Sequence, residues 1–246
     1  MIILTEEAKK KGIARLVEEH GVQFFDFGCS NGGSIEHVNT KYDRDSKGMG
    51  FDISQTKLEE ASSRDHLVSN FDILSLPEQP MVGYTTMFHI LEHIDSQATV
   101  SGFIQKACAV SRDFVFIIQP FFDADAFLFA HGLKLFWSDW GGHPNRMTTL
   151  EMYLILNALY RDKKIEGFKI FGKGLICDSS YAQILPLNTL FDQQDYDPDE
   201  HPPKRTDLVF DFPVFKELAV LIEVRKGSGE EFVVSYGPDE VLYSSD

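Results

Sequence analysis

Short apolar runs recur along the first half of the chain, and an amphipathic stretch follows each one. Residues 5–19 place Ile13, Leu16 and Val17 on one helical face, with Thr5 as N-cap, Glu6 and Glu7 in the first turn and Gly21 as the stop. Residues 22–27 (VQFFDF) form a short apolar run that predicts a buried strand. The run leads into Gly28-Cys29-Ser30-Asn31-Gly32-Gly33, and a helix is predicted from about Ser34. Residues 48–52 (GMGFD) predict a second strand ending on an acid, and Ser54 can cap a helix reaching about Ser63. Residues 67–70 predict a third strand, followed by Phe71-Asp72, and residues 84–91 a fourth. Residues 95–110 predict a helix and residues 114–119 a fifth strand, stopped by Pro120.

Strands and helices alternating at this interval make βαβ units, hence a parallel sheet wound with right-handed crossovers. The expected class is α/β, Rossmann-like and doubly wound. Ligands of such sheets lie beyond the carboxyl ends of the strands, where Gly28, Asp52, Asp72 and His89 fall. After Pro120 the pattern changes. Residues 121–147 are rich in aromatics and glycine, Thr148 caps a helix reaching about Tyr160, and residues 168–171 form a strand. Residues 173–214 look mostly irregular, residues 218–224 (LAVLIEV) form another apolar strand, and residues 232–235 can add one more. No repeat or linker divides the chain. It is expected to be a single domain over 1–246, with a cofactor-binding half at 20–120, an insertion at 121–147 and sheet completion at 148–246.

Composition narrows the partners. The formal net charge of −15 repels polyphosphate at long range, which argues against nucleic acid as a partner. The three cysteines, Cys29, Cys108 and Cys177, form no CxxC pair and match no zinc spacing, so a reducing, cytoplasmic setting is expected. The opening MIILTEEAKKKG lacks the apolar core of a signal peptide, and no apolar run reaches the ~18–20 residues of a membrane span. A monomer or homodimer acting on a small molecule is expected.

The loop after the first strand carries the candidate chemistry. Glycines there permit positive φ and close ligand approach, and the helix behind offers unpaired N–H groups. Gly28, Ser30 and Gly33 also occupy the three glycine positions of a dinucleotide fingerprint, with serine at the second. Asp52 stands at the right distance to hold a ribose hydroxyl in either case. These two elements indicate an adenosine-ribose cofactor and no more.

Asp26-Phe-Gly28-Cys-Ser30-Asn-Gly32 resembles the first motif of the class I S-adenosylmethionine-dependent methyltransferases, an acid followed by G-x-G-x-G with serine at the middle glycine. His89-Ile-Leu-Glu92-His93-Ile94 is similar to the H-x-L-E-H stretch after strand four in a small-molecule branch of that family. The resemblance covers residues 20–120 by motif and 148–224 by topology. It implies S-adenosylmethionine as cofactor and S-adenosylhomocysteine as product. It places Asp26, Gly28, Ser30, Gly32, Asp52, Asp72, Ile73 and His89 at the cofactor, with Asp52 on the ribose and Asp72 on the adenine amine. It also implies a seven-stranded, mostly parallel sheet with an antiparallel last strand.

In this fold the 121–147 insertion is expected to form an acceptor lid, with Phe121, Trp137, Trp140 and Arg146 on the substrate. A hydroxyl acceptor needs a base, for which His143 is the first candidate, oriented by Asp139, with His89 and His131 behind it. The two tryptophans suggest a sugar or glycan-precursor hydroxyl. No metal set is apparent, because His89 and His93 stand at i, i+4 without the H-E-x-x-H arrangement, so metal-independent transfer is expected. Two alternatives remain: an NAD(P)-dependent oxidoreductase, for which Tyr160 and Lys164 formally match Tyr-x-x-x-Lys, and an inactive binding module on the same fold.

Overall fold

The computed structural model describes residues 2–3, 12–190 and 194–245. Thr5 and most of the first turns of the expected N-terminal helix lie outside them. Within them, β1 (Ile2–Ile3) precedes α1 (Ile13–His20), which ends at Gly21 in a left-handed cap. Then come β2 (Phe24–Phe27), α2 (Gly33–Lys41), β3 (Gly48–Phe51), α3 (Gln55–Ser63) and β4 (Leu67–Ser69). Next are β5 (Val82–Phe88), α4 (Gln97–Val110) and β6 (Ser111–Pro120). Side-chain hydroxyls cap the helices where the sequence puts Ser or Thr ahead of them: Ser54 accepts from Lys57 N–H and Ser96 from Thr99 N–H.

The second half supplies α5 (Asp125–Ala130), β7 (Leu133–Leu135), α6 (Thr149–Arg161), β8 (Gly167–Asp178), β9 (Ile184–Pro186), β10 (Val209–Glu223), α7 (Glu230–Val233) and β11 (Val241–Ser244). Thr148 and Glu151 form a reciprocal capping box at the start of α6.

The main sheet runs β1-β4-β3-β2-β5-β6-β10-β8-β11. Every pair from β1 to β6 is parallel, and β10 is antiparallel to both of its neighbours. The fold is therefore α/β and Rossmann-like. Its seven expected strands are flanked by β1 at one edge and β11 at the other. Strand order reverses between β2 and β5, and this opens a crevice at their carboxyl ends.

Both sheet faces are covered, which is why the strands read as continuous apolar runs. In β6, Val115 and Ile117 face a core shared with α1, α4 and α6, while Phe114, Phe116 and Ile118 face one shared with α2, α3 and α7. In β10, Val220 and Ile222 alternate with Ala219 and Leu221 in the same way.

One expectation is corrected. Residues 232–235 do not form a strand. Gly229 turns the chain at φ 81 into α7, and Phe232 is buried, stacking on Tyr42 at 4.5 Å and meeting Phe114 edge-on at 4.9 Å. The added edge strand is β11, on β8. Residues 173–214 are mostly irregular, as expected, apart from β9 and the ends of β8 and β10. β8 and β10 continue past the sheet as a ribbon, paired at Glu217↔Lys173, Val214↔Ile176 and Val209↔Asp178, with a bulge between 209 and 214. Main-chain pairing and the buried Ile176 and Val214 hold this ribbon, whose tip at Val209 is exposed. The 121–147 segment also has order of its own: α5, then β7, which pairs with β9.

Candidate functional site

The turn after β2 is built from left-handed residues: Gly28 at φ +77, Ser30 at φ +47 and Gly32 at φ +88. A Cβ on Gly28 would lie 2.4 Å from Ile90 Cδ1, and one on Gly32 would lie 2.4 Å from the His66 ring. Glycine is therefore required at both places for contact as well as φ. Ser30 takes the left-handed conformation at the position where the fingerprint has its middle glycine.

Asp52, at the end of β3, ties this turn to its neighbour. Its Oδ2 accepts from Ser30 N–H at 2.9 Å and its Oδ1 from Ser54 N–H at 2.8 Å. Gly28 N–H and Cys29 N–H both donate to the Phe51 carbonyl, at 2.8 and 3.0 Å. Beneath the turn lies Asp26, fully buried in β2, which accepts from the Ser34 hydroxyl and from Thr86 Oγ1 at 2.8 Å. Burial pushes its pKa up to about 7, against the lowering effect of those two hydroxyls. Asp72 caps a short 3-10 turn over Ile73–Ser75, its Oδ1 accepting from Leu74 N–H at 3.1 Å.

These elements surround a cavity of about 1070 Å³. On the β3–β4 side of the crevice its wall includes Asp52, Ile53, Asn70, Phe71, Asp72 and Ile73, with Ile94 and Phe103 facing them from the α4 region. Ile53 is 100 % exposed, an apolar side chain left open at the cavity lip. On the β5–β6–β10–β8 side the wall is formed by Phe88, His89, Ile118, Glu217 and Lys173, together with His37 of α2.

His89 sits at φ +52, immediately after β5. Its Nε2 is 2.9 Å from Glu217 Oε1 and its Nδ1 is 3.3 Å from Glu92 Oε1. Glu217 also pairs with Lys173. Burial lowers the His89 pKa, but the two carboxylates outweigh it and raise the value to about 9. With both ring nitrogens engaged, His89 has no free nitrogen to take a proton from a substrate.

Of the residues expected at the cofactor, Gly28, Ser30, Asp52, Asp72, Ile73 and His89 line the cavity, while Asp26 and Gly32 lie behind it. The residues expected at the acceptor are elsewhere. Phe121 is buried edge-on to Phe215 at 5.3 Å, and the Trp137 indole donates to the Phe121 carbonyl at 3.3 Å. Trp140 packs against His143 at 4.5 Å and Phe136 at 6.3 Å, and Arg146 Nε donates to the Ser138 carbonyl at 2.7 Å. His131 is exposed, with its ring 4.8 Å from Phe127.

Asp139 does not orient His143, because the buried Lys134 ammonium takes its carboxylate at 2.7 Å. His143 is itself buried, which pushes its pKa down, and its Nδ1 lies 3.2 Å from the Trp137 carbonyl. Neither Tyr160 nor Lys164 reaches the cavity wall. The sequence reading missed His37, His93, Lys173 and Glu217, all of which line the cavity. For His93 a signal existed in the H-x-L-E-H stretch. Lys173 and Glu217 meet only through the β8–β10 register, which leaves no local mark.

No protein-family model matches the chain, and no curated protein matches it. Among solved structures it is similar to a SAM-dependent methyltransferase from Archaeoglobus fulgidus, at 14 % identity and a TM-score of 0.55, over 89 % of this chain and 97 % of that one. It is also similar to a SAM-dependent methyltransferase, possibly a histamine N-methyltransferase, from Thermotoga maritima, at 11 % identity and a TM-score of 0.50, over 89 % and 95 % of the two chains. At these identities the likeness establishes the fold: the chain has the Rossmann-like α/β fold of those enzymes.

Proposed function

We propose that the chain is an S-adenosylmethionine-dependent methyltransferase acting on a small hydroxylated molecule. The observation that carries this reading is the Asp52 carboxylate, which lines a 1070 Å³ cavity at the strand-order reversal beside the left-handed Gly28–Gly32 turn. The residues present fit the donor. Gly28 lines the cavity without a side chain, so the donor's amino-acid end can approach the backbone of the turn closely. Asp52 accepts from ribose hydroxyls, and Asp72 from the adenine amine. Ile53, Phe71, Ile73 and Phe103 supply an apolar slot for the ring. When bound, the donor supplies an electrophilic methyl on a sulfonium centre.

The chain's own residues bind and align. The acceptor enters from the side of His37, Lys173 and Glu217, whose polar groups suit a hydroxylated ligand such as a sugar or glycan precursor. On this side Lys173 and the charged His89 are both paired with Glu217. Alignment of acceptor and methyl supplies much of the rate. The division into a cofactor half at 20–120, an insertion at 121–147 and a closing segment at 148–246 belongs to the same reading. Among the described residues no helix is long and apolar enough to cross a membrane.

The test is transfer of an isotope-labelled methyl from the donor to a panel of sugars, sugar nucleotides and non-sugar hydroxyl compounds. Label in a hydroxylated acceptor supports the proposal. Label confined to amines or carboxylates would overturn the hydroxyl assignment, and label confined to non-sugars would remove the sugar class.

A further inference from the structure

We propose that Glu92, His93 and His143 form a binding site for one divalent transition cation beside the cavity. Each of the three offers a ligand atom, and these atoms all lie within 4.8 Å of one another. The segment after β5 contributes two of them and the 121–147 insertion the third.

An independent observation points the same way. Glu92 is 2 % exposed, and its Oε2 is buried with no hydrogen-bond partner among the described residues. A buried carboxylate oxygen without a donor is costly, and a cation is one of the few partners that removes the cost. Its other oxygen, Oε1, is already engaged by His89 at 3.3 Å.

Both histidines are held as metal ligands usually are. His93 Nδ1–H donates to the Gly142 carbonyl at 2.8 Å, and His143 Nδ1–H donates to the Trp137 carbonyl at 3.2 Å. Such bonds fix the tautomer and leave Nε2 as the lone-pair nitrogen. The two chain segments are also clamped together. Asn145 Nδ2 donates to the Leu91 carbonyl at 3.2 Å, and Asn145 N–H to the Glu92 carbonyl at 3.2 Å. The site is thus assembled before any ion arrives. Trp140 lies 5.6 Å from the His93 ring and 4.5 Å from His143, and Phe122 closes the far side at 6.0 Å. This aromatic wall packs around the two histidines, of which His143 is buried and His93 exposed.

Two imidazoles and one carboxylate suit Zn²⁺, Co²⁺, Mn²⁺ or Fe²⁺, and do not suit Mg²⁺ or Ca²⁺, which take oxygen donors. Three protein ligands leave coordination positions open, and His93 is part of the cavity wall. If the cavity holds a methyl donor as proposed above, those positions present a Lewis acid to the acceptor hydroxyl. The site departs from the metal-independent reaction expected from the sequence. The relevant histidine partner is not His89, four residues away, but His143 on a separate segment.

The test is titration of the EDTA-dialysed full chain with Co²⁺, followed by visible absorption, and with Zn²⁺ against a chromophoric chelator. The wild type is expected to bind one equivalent with d–d bands of a nitrogen-containing site. Glu92→Gln and His143→Gln are each expected to weaken that equivalent by about 100-fold or more. His93→Gln changes an exposed residue and serves as the third variant should the buried ones fail to fold. Absence of a bound equivalent in the wild type, equal affinity in wild type and His93→Gln, or binding of Mg²⁺ alone would overturn the site. S-adenosylhomocysteine binding by the same dialysed protein separates failure of the metal site from failure of the cofactor assignment.

Discussion

Asp26→Asn should make the fold more stable than wild type, and the advantage should grow with pH. Asp26 is fully buried, and its folded pKa is about 7 against an ordinary 3.8. Desolvation causes the rise, and the hydroxyls of Ser34 and Thr86 offset only part of it. Below pH 3.8 the carboxyl is neutral in both states and carries no penalty. As pH rises, the unfolded chain ionises first, so the folded state loses relative stability until it ionises too, near pH 7. The slope approaches ~1.4 kcal/mol per pH unit and falls off as the folded carboxyl ionises, so the interval from pH 5 to pH 7 gives about 2 kcal/mol. Asn does not titrate. Its Oδ1 can accept from Thr86, and the Ser34 hydroxyl, released from Asp26, still has the Cys29 carbonyl at 3.4 Å. The assay is urea unfolding of both proteins, without ligand, at pH 5, 7 and 8. Contributions of all other groups cancel in the difference between the two. A difference that stays constant across this range, or that moves in favour of wild type as pH rises, would refute the reasoning.

Gly28→Ala should cost roughly 1–3 kcal/mol, from a Cβ 2.4 Å from Ile90 Cδ1 and a φ of +77, and should weaken S-adenosylhomocysteine binding; thermal unfolding with and without the ligand measures both. Phe232→Ala should destabilise by about 3–5 kcal/mol, because the ring is buried against Tyr42, Phe114 and Phe116; a change under 1 kcal/mol by urea unfolding would contradict the packing of α7.

The parallel half of the sheet was legible because each buried strand ends on a residue that local chemistry singles out. Gly28 and Gly32 mark the turn after β2, Asp52 the end of β3 and Asp72 the turn after β4. These are consequences of local backbone geometry, which sequence carries directly. The β8–β10 side of the cavity was not legible. Lys173 and Glu217 face each other across an antiparallel pair of strands distant in sequence. The aromatics of 121–147 misled for a related reason: an aromatic run fits a ligand pocket and a packed cluster equally well, and here Trp137 and Phe121 belong to the latter. Asp139 stands near His143 in sequence, yet a buried ammonium competes for it, and the desolvated charge of Lys134 wins. The Glu92–His93–His143 cluster was invisible because its third member comes from that insertion.

The central claim is that this cavity holds S-adenosylmethionine, and calorimetric titration with S-adenosylhomocysteine, with NADH as control, tests it most directly. The account predicts saturable one-to-one binding of the first and none of the second. It also predicts affinity about 10- to 100-fold weaker in Asp52→Ala, from lost hydrogen bonds to a charged acceptor worth ~1.5–3 kcal/mol each. Binding of NADH in preference, no binding of either, or an Asp52→Ala affinity equal to wild type would contradict it.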